Sequence, residues 1–459
     1  MRPISIRLAR LHGLPCLPSP AALRTLAATL VLASLPGLAA AQSLQELYDA
    51  ARGFDATYLA ARANAQSAEF RAAQVEALKR PTLAATAGAS TGQTDTPLTN
   101  GAKSTQSLSA QLNGRYPLFN RANSVSIEQS RRSLVAAQAE LDASEQDLIV
   151  RLAQAYFDVL AAQDALATTR ASKASITEQL ASAKRNFEVG TATITDTREA
   201  QARFDLATAQ EIAADNDLRT RRVNLDTLVG RANVVPKPLS VPVALPEPMP
   251  ANAEEWVTVA DQQHPTVRRA RVNLDVATLE IAKARAGDLP TVDAVASIGN
   301  SEARGTLPAL QRSTGNSTSG SIGVQLNWPL YTGGATQNRV KETLSLEEAA
   351  RNNLEAARRG VAQGSRVAFF GLQSQLAQVK ALEAAESSSK LALEATQLGY
   401  RVGVRVNLDV LNAQTQLFTT QRDLARARYD VLVNTLRLRQ ASGQLAPPDI
   451  DQVNRLLAR

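Results

Sequence analysis

Ser321-Ile322-Gly323-Val324-Gln325-Leu326-Asn327-Trp328 alternates small or polar side chains with apolar ones. Successive strand residues point to opposite faces, so a period of two builds a ribbon with one apolar and one polar side. The same rhythm recurs three times. Val292, Ala294, Ala296 and Ile298 alternate with Thr291, Asp293 and Ser297, and Leu83, Ala85, Ala87, Ala89 and Leu108, Ala110, Leu112 form two more stripes. Each stretch is about ten residues long, the length of a tilted membrane strand, with one alternate set facing lipid and the other a wet lumen. Four strands cannot close a barrel, and open edges are not tolerated in lipid, so several copies must share one barrel. Tyr116, Phe119, Trp328 and Tyr331 fall at the strand-to-helix junctions, where an interfacial aromatic belt belongs. Pro117 and Pro329 are expected to break the ladder there and re-aim the chain into helix. The polar loops Asp95–Lys103 and Ser301–Ser319 are expected outside the cell.

Outward from these ribbons the chain repeats itself. Phe187-Glu188-Val189-Gly190, then Asp196 and Gln201, matches Tyr400-Arg401-Val402-Gly403, then Asp409 and Gln414, at an offset of 213. The same offset aligns Ala155-Tyr156-Phe157 with Ala368-Phe369-Phe370, and Tyr116-Pro117-Leu118-Phe119 aligns with Trp328-Pro329-Leu330-Tyr331 at 212. Such self-similarity marks a duplicated structural unit. The two units are residues 42–235 and 252–445, with a tail over 446–459. Between the units, residues 236–251 carry six prolines and read as an extended linker, because helix cannot persist through such a run.

Each unit predicts helix, strand, strand, very long helix, tight break, helix. The first has helix over Leu44 to Leu78, strands over Thr82–Thr91 and Ser107–Leu118, a long helix from Asn123 to Glu188 and a return from Thr195 to Val229. The second runs Glu254–Ala286, Thr291–Asn300, Gly320–Leu330, Thr336–Arg401 and Leu408–Ser442. Ile127, Leu134, Leu141, Leu148, Ala155 and Ala162 recur every seven residues, the rhythm of helices that pack on one another. Gly190 and Gly403 end the long helices through left-handed caps. Asp196 and Asp409 then fall in the first turns of the next helices, where a carboxylate complements the helix dipole.

The remaining composition narrows the function class. Only 4% of the 459 residues are aromatic, which suits long helices better than a large globular core. Residues 1–41 read as a secretory signal: Arg2, Arg7, Arg10 and Arg24 precede the apolar run Leu26–Leu38 and the small residues Ala39-Ala40-Ala41. The one cysteine, Cys16, lies within it, so the expected mature chain has no disulfide and no thiolate metal site. Without that segment, 46 basic residues face 43 acidic ones, which leaves no nucleic-acid footprint. No later stretch reaches 18 apolar residues. His264 stands beside Pro265 with no cysteine partner and reads as a helix-start residue. No phosphate loop, paired-acid site or triad spacing appears, so neither an enzyme, a cofactor nor a metal is expected.

At this point the residues resemble the TolC family of outer-membrane efflux and secretion proteins. The most specific pieces are Trp328-Pro329-Leu330-Tyr331-Thr332-Gly333-Gly334 and the run from Gly399 to Ala413, with Asn186 to Asp196 as its first-half partner. The resemblance implies a mixed α and β fold. Four strands per protomer would enter a trimeric 12-stranded membrane β-barrel, continuous with a long periplasmic α-helical barrel of coiled-coil helices. It implies a homotrimer in outer-membrane lipid, docked to a periplasmic adaptor (a membrane fusion protein) and an inner-membrane ABC or RND-type pump. Gly190 and Gly403 would lie at the adaptor-docking tips. Tyr400 and Arg405 would hold the periplasmic gate shut against Thr195 and Asp196 of the adjacent hairpin. Asp409 would ring the pore constriction, with Asn412 as polar lining where a second acid can occur in the family. The competing expectation is a periplasmic coiled-coil scaffold or adaptor without a membrane barrel.

Overall fold

A computed structural model of the protein describes residues 41–95, 101–240, 245–305 and 315–458. The expected signal segment up to residue 40, residues 96–100 and 306–314 of the two loops, residues 241–244 of the linker and residue 459 lie outside the described residues.

The first unit contains α1 (Leu44–Phe54), α2 (Ala56–Glu76), β1 (Thr82–Thr94), β2 (Lys103–Phe119), α3 (Arg121–Glu188) and α4 (Ile194–Val229). The second repeats this order as α5 (Ala253–Gln263), α6 (Pro265–Arg285), β3 (Thr291–Gly305), β4 (Gly315–Asn327), α7 (Ala335–Arg401) and α8 (Asn407–Ala441). A short α9 (Pro448–Asn454) closes the chain. Thus the tail is partly helical, which its two prolines had obscured.

Each opening helix, expected to be continuous, is broken once. Asp55 ends α1 and caps α2, its Oδ1 accepting the Tyr58 amide at 2.8 Å. His264 ends α5 and caps α6, its Nδ1 accepting the Thr266 amide at 3.1 Å. Pro265 at the first helical position has no amide hydrogen to lose there, whereas it pushes His264 out of the helical region. Burial holds the His264 imidazole below its ordinary pKa, so its ring nitrogen is free to accept.

The rods α3 and α7 have 68 and 67 residues, or about 100 Å each at 1.5 Å per residue. The pairs α3/α4 and α7/α8 pack side by side, and α8 also lies against α3. The main core sits partway down the rods. Leu148, Leu152, Tyr156, Phe157 and Leu160 of α3 meet Leu44, Leu47 and Tyr48 of α1, Leu432 and Leu436 of α8, and Ile450 and Val453 of α9. At the duplicated position Phe369 and Leu372 of α7 meet Trp256 of α5. Each such side chain, once buried, contributes about 1.5–3 kcal/mol of apolar transfer. The linker is pinned here as an extended strap. Ser240 donates its amide to Leu456 O at 2.9 Å, the Ala458 amide reaches Pro238 O at 2.8 Å, and Tyr156 directs its hydroxyl at the carbonyls of Gln42 and Lys237.

The four strands form one antiparallel sheet in the order β1-β2-β3-β4. They are longer than the ten residues expected, at 13, 17, 15 and 13. Pro117 does not end the ladder as expected. It lies inside β2, where the register shifts between Pro117 and Phe119 and the strand continues. A bulge absorbs the missing amide donor. By contrast β4 does end at Asn327, before Pro329.

Candidate functional site

The sheet register collects the sequence stripes onto two faces. Ala85 pairs with Leu112, Leu112 with Ile298, and Ile298 with Gly320; one step along, Leu83 pairs with Gly114, Gly114 with Ala296, and Ala296 with Ile322. Paired residues share a face, so Leu83, Leu112, Ile298, Ile322, Val324 and Leu326 all project on one side. They are exposed, Ile322 at 90%. The opposite face is polar. Ser90 and Ser107 hydroxyls meet at 2.7 Å, Ser297 and Ser321 at 2.8 Å, and Arg115 Nη2 donates to Asp293 Oδ2 at 2.6 Å. Both outer edges, β1 and β4, are unpaired among the described residues. Tyr116, Phe119, Trp328 and Tyr331 gather at the helical end of this sheet, 45%, 48%, 57% and 88% exposed. The Trp328 indole donates to Asp288 O at 3.2 Å, which fixes its ring while leaving its apolar body uncovered.

At the far end of the rods the two turns are built alike. Gly190 has φ +80° and Gly403 φ +82°. The Thr191 amide reaches back to Asn186 O at 2.8 Å, and the Val404 amide to Gly399 O at 2.9 Å. These are Schellman caps, which require the left-handed conformation that glycine adopts freely. Asp196 closes a capping box with Thr193, accepting its amide at 3.0 Å while Thr193 Oγ1 accepts the Asp196 amide at 3.2 Å. Asp409 accepts the Val406 amide at 3.4 Å. Both acids therefore have a local helix-starting role whatever else they do.

Within one chain the residues expected at the gate find other partners than those expected. The Tyr400 hydroxyl accepts from Asn186 Nδ2 at 3.2 Å, which ties the α7 tip to the α3 tip. Arg405 Nη1 lies 3.6 Å from Asp409 Oδ2 of its own hairpin. Its stem runs closely over Gly399, where an added Cβ would meet Arg405 Cγ at 2.8 Å. Asn412 accepts from Arg203 Nη2 of α4 at 3.0 Å. Thr195 and Asp196 are not joined to Tyr400 or Arg405 here. Sequence reasoning missed Asn186, Gly399 and Arg203. Gly399 carried a signal, since it duplicates Asn186 and precedes Tyr400. Arg203 carried none, because its partner lies 209 residues away.

No group of three or more metal-ligating side chains occurs among the described residues, and none of their helices is long and apolar enough to cross a membrane. What the described residues offer is a long helical body with an amphipathic sheet at one end and a polar, hairpin-built tip at the other.

Fold and site together define an outer-membrane channel class, and comparison with known proteins identifies it. The pattern of the outer membrane efflux protein family matches residues 47–231 and 256–444, the two repeats, and the chain belongs to that family. It is an outer-membrane exit duct that extends into the periplasm. The outer membrane protein TolC of Vibrio cholerae is 33% identical over 431 residues, covering 92% of this chain and 95% of TolC. The proteases secretion protein PrtF of Dickeya chrysanthemi is 30% identical over 442 residues, covering 93% of each. Among solved structures, the outer membrane protein VceC of Vibrio cholerae shares the fold at a TM-score of 0.73 and 21% identity, with 87% of this chain and 96% of that one covered. The open-state MtrE outer membrane channel of Neisseria gonorrhoeae gives a TM-score of 0.69 at 23% identity, with 88% and 90% covered.

Proposed function

We propose that three copies of this chain each contribute four strands to one closed barrel, and that the trimer is the passive exit duct of a tripartite type I secretion or efflux system. The supporting observation is the sheet itself: an exposed apolar band of Leu83, Leu112, Ile298, Ile322, Val324 and Leu326, and two outer edges unpaired among the described residues. Lipid covers the face, and only neighbouring copies can satisfy the edge amides and carbonyls. A coiled-coil scaffold outside the membrane has no use for either feature. The exposed aromatic residues Tyr116, Phe119, Trp328 and Tyr331 then mark the membrane interface, and the rods α3 and α7 with their return helices α4 and α8 continue the duct across the periplasm.

In this reading a periplasmic adaptor grips the tips around Gly190 and Gly403, and an ABC or RND-type inner-membrane pump delivers the cargo. The names of the relatives lean towards secretion, since PrtF is a proteases secretion protein and AprF of Pseudomonas aeruginosa an alkaline protease secretion protein. The hairpins stay shut through Tyr400 and Arg405, which reach Thr195 and Asp196 of a neighbouring copy, and Asp409 with Asn412 lines the constriction. The duct performs no covalent chemistry.

Cysteine pairs test the assembly, because the sole natural cysteine is Cys16. One cysteine is placed on the β1 edge and one on the β4 edge. Oxidation in outer membranes should give a ladder ending at a closed trimer that resists heating in detergent. A chain that stays monomeric across the whole set of pairs would overturn the reading.

A further inference from the structure

We infer that Arg203 sets the charge of the constriction, offsetting the Asp409 carboxylate so that the ring is not the cation-favouring filter an acidic constriction would be. The inference rests on the duct reading above and deepens it.

Asp409 and Asn412 are three residues apart on α8, so they share a face and differ by about 4.5 Å in height. Asn412 is exposed. Its carbonyl oxygen accepts from Arg203 Nη2 at 3.0 Å, and that bond draws a guanidinium from α4 onto the surface of α8. Arg405 stands 3.6 Å from Asp409 on the other side. Arg203 is thus a permanent cation beside the Asp409 carboxylate, and unlike Arg405 it is not already committed to the gate contacts. An arginine does not lose its proton at any physiological pH, so this balance is fixed. Asparagine at 412 is the enabling residue. A carboxylate there would neutralise Arg203 in a salt bridge, whereas a neutral amide orients the guanidinium and leaves its charge uncompensated.

Symmetry multiplies the effect. A ring of side-chain charges in a narrow passage governs which ions enter. With Arg203 present, small cations meet repulsion one turn from the Asp409 carboxylates, and the ring loses much of its preference for them. Arg203 also ties the first hairpin to the second in the same protomer.

The test is the reversal potential of the purified duct in planar bilayers under a potassium chloride gradient. Arg203→Gln keeps a donor for Asn412 and removes the charge; the ratio of cation to anion permeability should rise by about two-fold or more. Arg203→Lys keeps the charge and should leave the ratio near wild type, which separates charge from hairpin bonding. Asp409→Ala serves as the reference and should lower the ratio. Unchanged selectivity in Arg203→Gln alongside a response to Asp409→Ala would overturn the role of Arg203 and leave the duct intact. A wild-type protein that inserts but conducts nothing under any condition would instead bring down the duct reading and this inference with it.

Discussion

Arg151 grips Asp55 with both ends of its guanidinium, Nη1 to Oδ2 and Nη2 to Oδ1, each at 3.1 Å. The pair fastens the break between α1 and α2 to the middle of the long rod α3. The same carboxylate accepts the Tyr58 amide at 2.8 Å as the cap of α2. Burial alone would raise the Asp55 carboxyl, but the Arg151 and Tyr58 hydrogen bonds outweigh it, and the group titrates below the usual aspartate range.

Two consequences can be measured. Asp55→Ala removes a cap and one of the two carboxylate partners of a guanidinium that is two-thirds covered, leaving only Asp147 at 2.6 Å, and it should cost about 1–2 kcal/mol. A carboxylate with a depressed folded-state pKa stabilises the fold above its unfolded value of about 4 and loses that contribution as pH falls through the folded value. Wild type should therefore soften below about pH 4, and Asp55→Asn should show a flatter profile there. Unfolding followed by circular dichroism in detergent, from pH 2 to 7, checks both.

Tyr429 makes a second cross-brace, from α8 to α3. Its hydroxyl donates to Asp164 Oδ2 at 2.6 Å, and its ring stacks on Phe157 at 5.7 Å between centroids. Burial first, and then this bond, pushes its phenol pKa far up, so it stays a donor at every working pH. Tyr429→Phe keeps the stacking and should cost about 1–3 kcal/mol. A double-mutant cycle with Asp164→Ala should return a coupling of the same order. Additive losses would show that the hydroxyl acts elsewhere.

Much of this architecture was readable from residues alone, for identifiable reasons. The offset of 213 residues fixed the order of elements, because a duplicated sequence folds twice the same way. The alternation of Ile322, Val324 and Leu326 fixed the exposed face, because a strand's period admits no other register. The Gly190 and Gly403 turns were legible because few residues tolerate that backbone. The break at Asp55 is hidden by the apolar periodicity, although an Asp three residues before Tyr58 marks it. His264 beside Pro265 reads as a helix start, as the structure has it, yet the same periodicity runs the expected helix Glu254–Ala286 through it. Contacts such as Asp55 with Arg151, Tyr429 with Asp164 and Arg203 with Asn412 join residues 96, 265 and 209 positions apart. No local pattern encodes them, since they arise only once the rods are laid side by side.

Asp430 predicts a pH dependence of opposite sign. It lines a cleft of about 470 Å³ between α3, α4 and α8 with Asp158, Arg221 and Arg426. Burial raises its pKa most, Asp158 adds to the rise, and Arg426 and Arg437 oppose it. Asp158 is itself engaged by Arg221 at 3.0 Å, so it has little to offer Asp430 but repulsion. A carboxyl with a raised folded-state pKa penalises the fold once ionised. Its contribution is intact below the unfolded value of about 4 and is lost as pH rises through the folded value. Asp430→Asn should match wild type at low pH and exceed it in melting temperature at neutral pH. A variant that is weaker at pH 7 would show that Arg426 and Arg437 need the charge.

The tips offer the most direct functional prediction. Tyr400 is held by Asn186 across the two hairpins of one protomer, and Arg405 is parked beside Asp409 with its stem on Gly399. The Tyr400–Asn186 bond is only part-buried and the Arg405 side chain is mostly exposed, so the energy these few contacts supply at the tip is small. Tyr400→Phe removes the acceptor for Asn186, and Arg405→Ser removes the cation that would reach a neighbouring Asp196. Together they should raise single-channel conductance by about two-fold or more, with each single variant in between. Asn186→Ala should reproduce the Tyr400→Phe share alone, because the two residues are ends of one bond. Conductance that responds to Arg405→Ser but to neither Tyr400→Phe nor Asn186→Ala would mean that only contacts between protomers hold the tip shut. A response to none of them would move the gate away from these hairpins altogether.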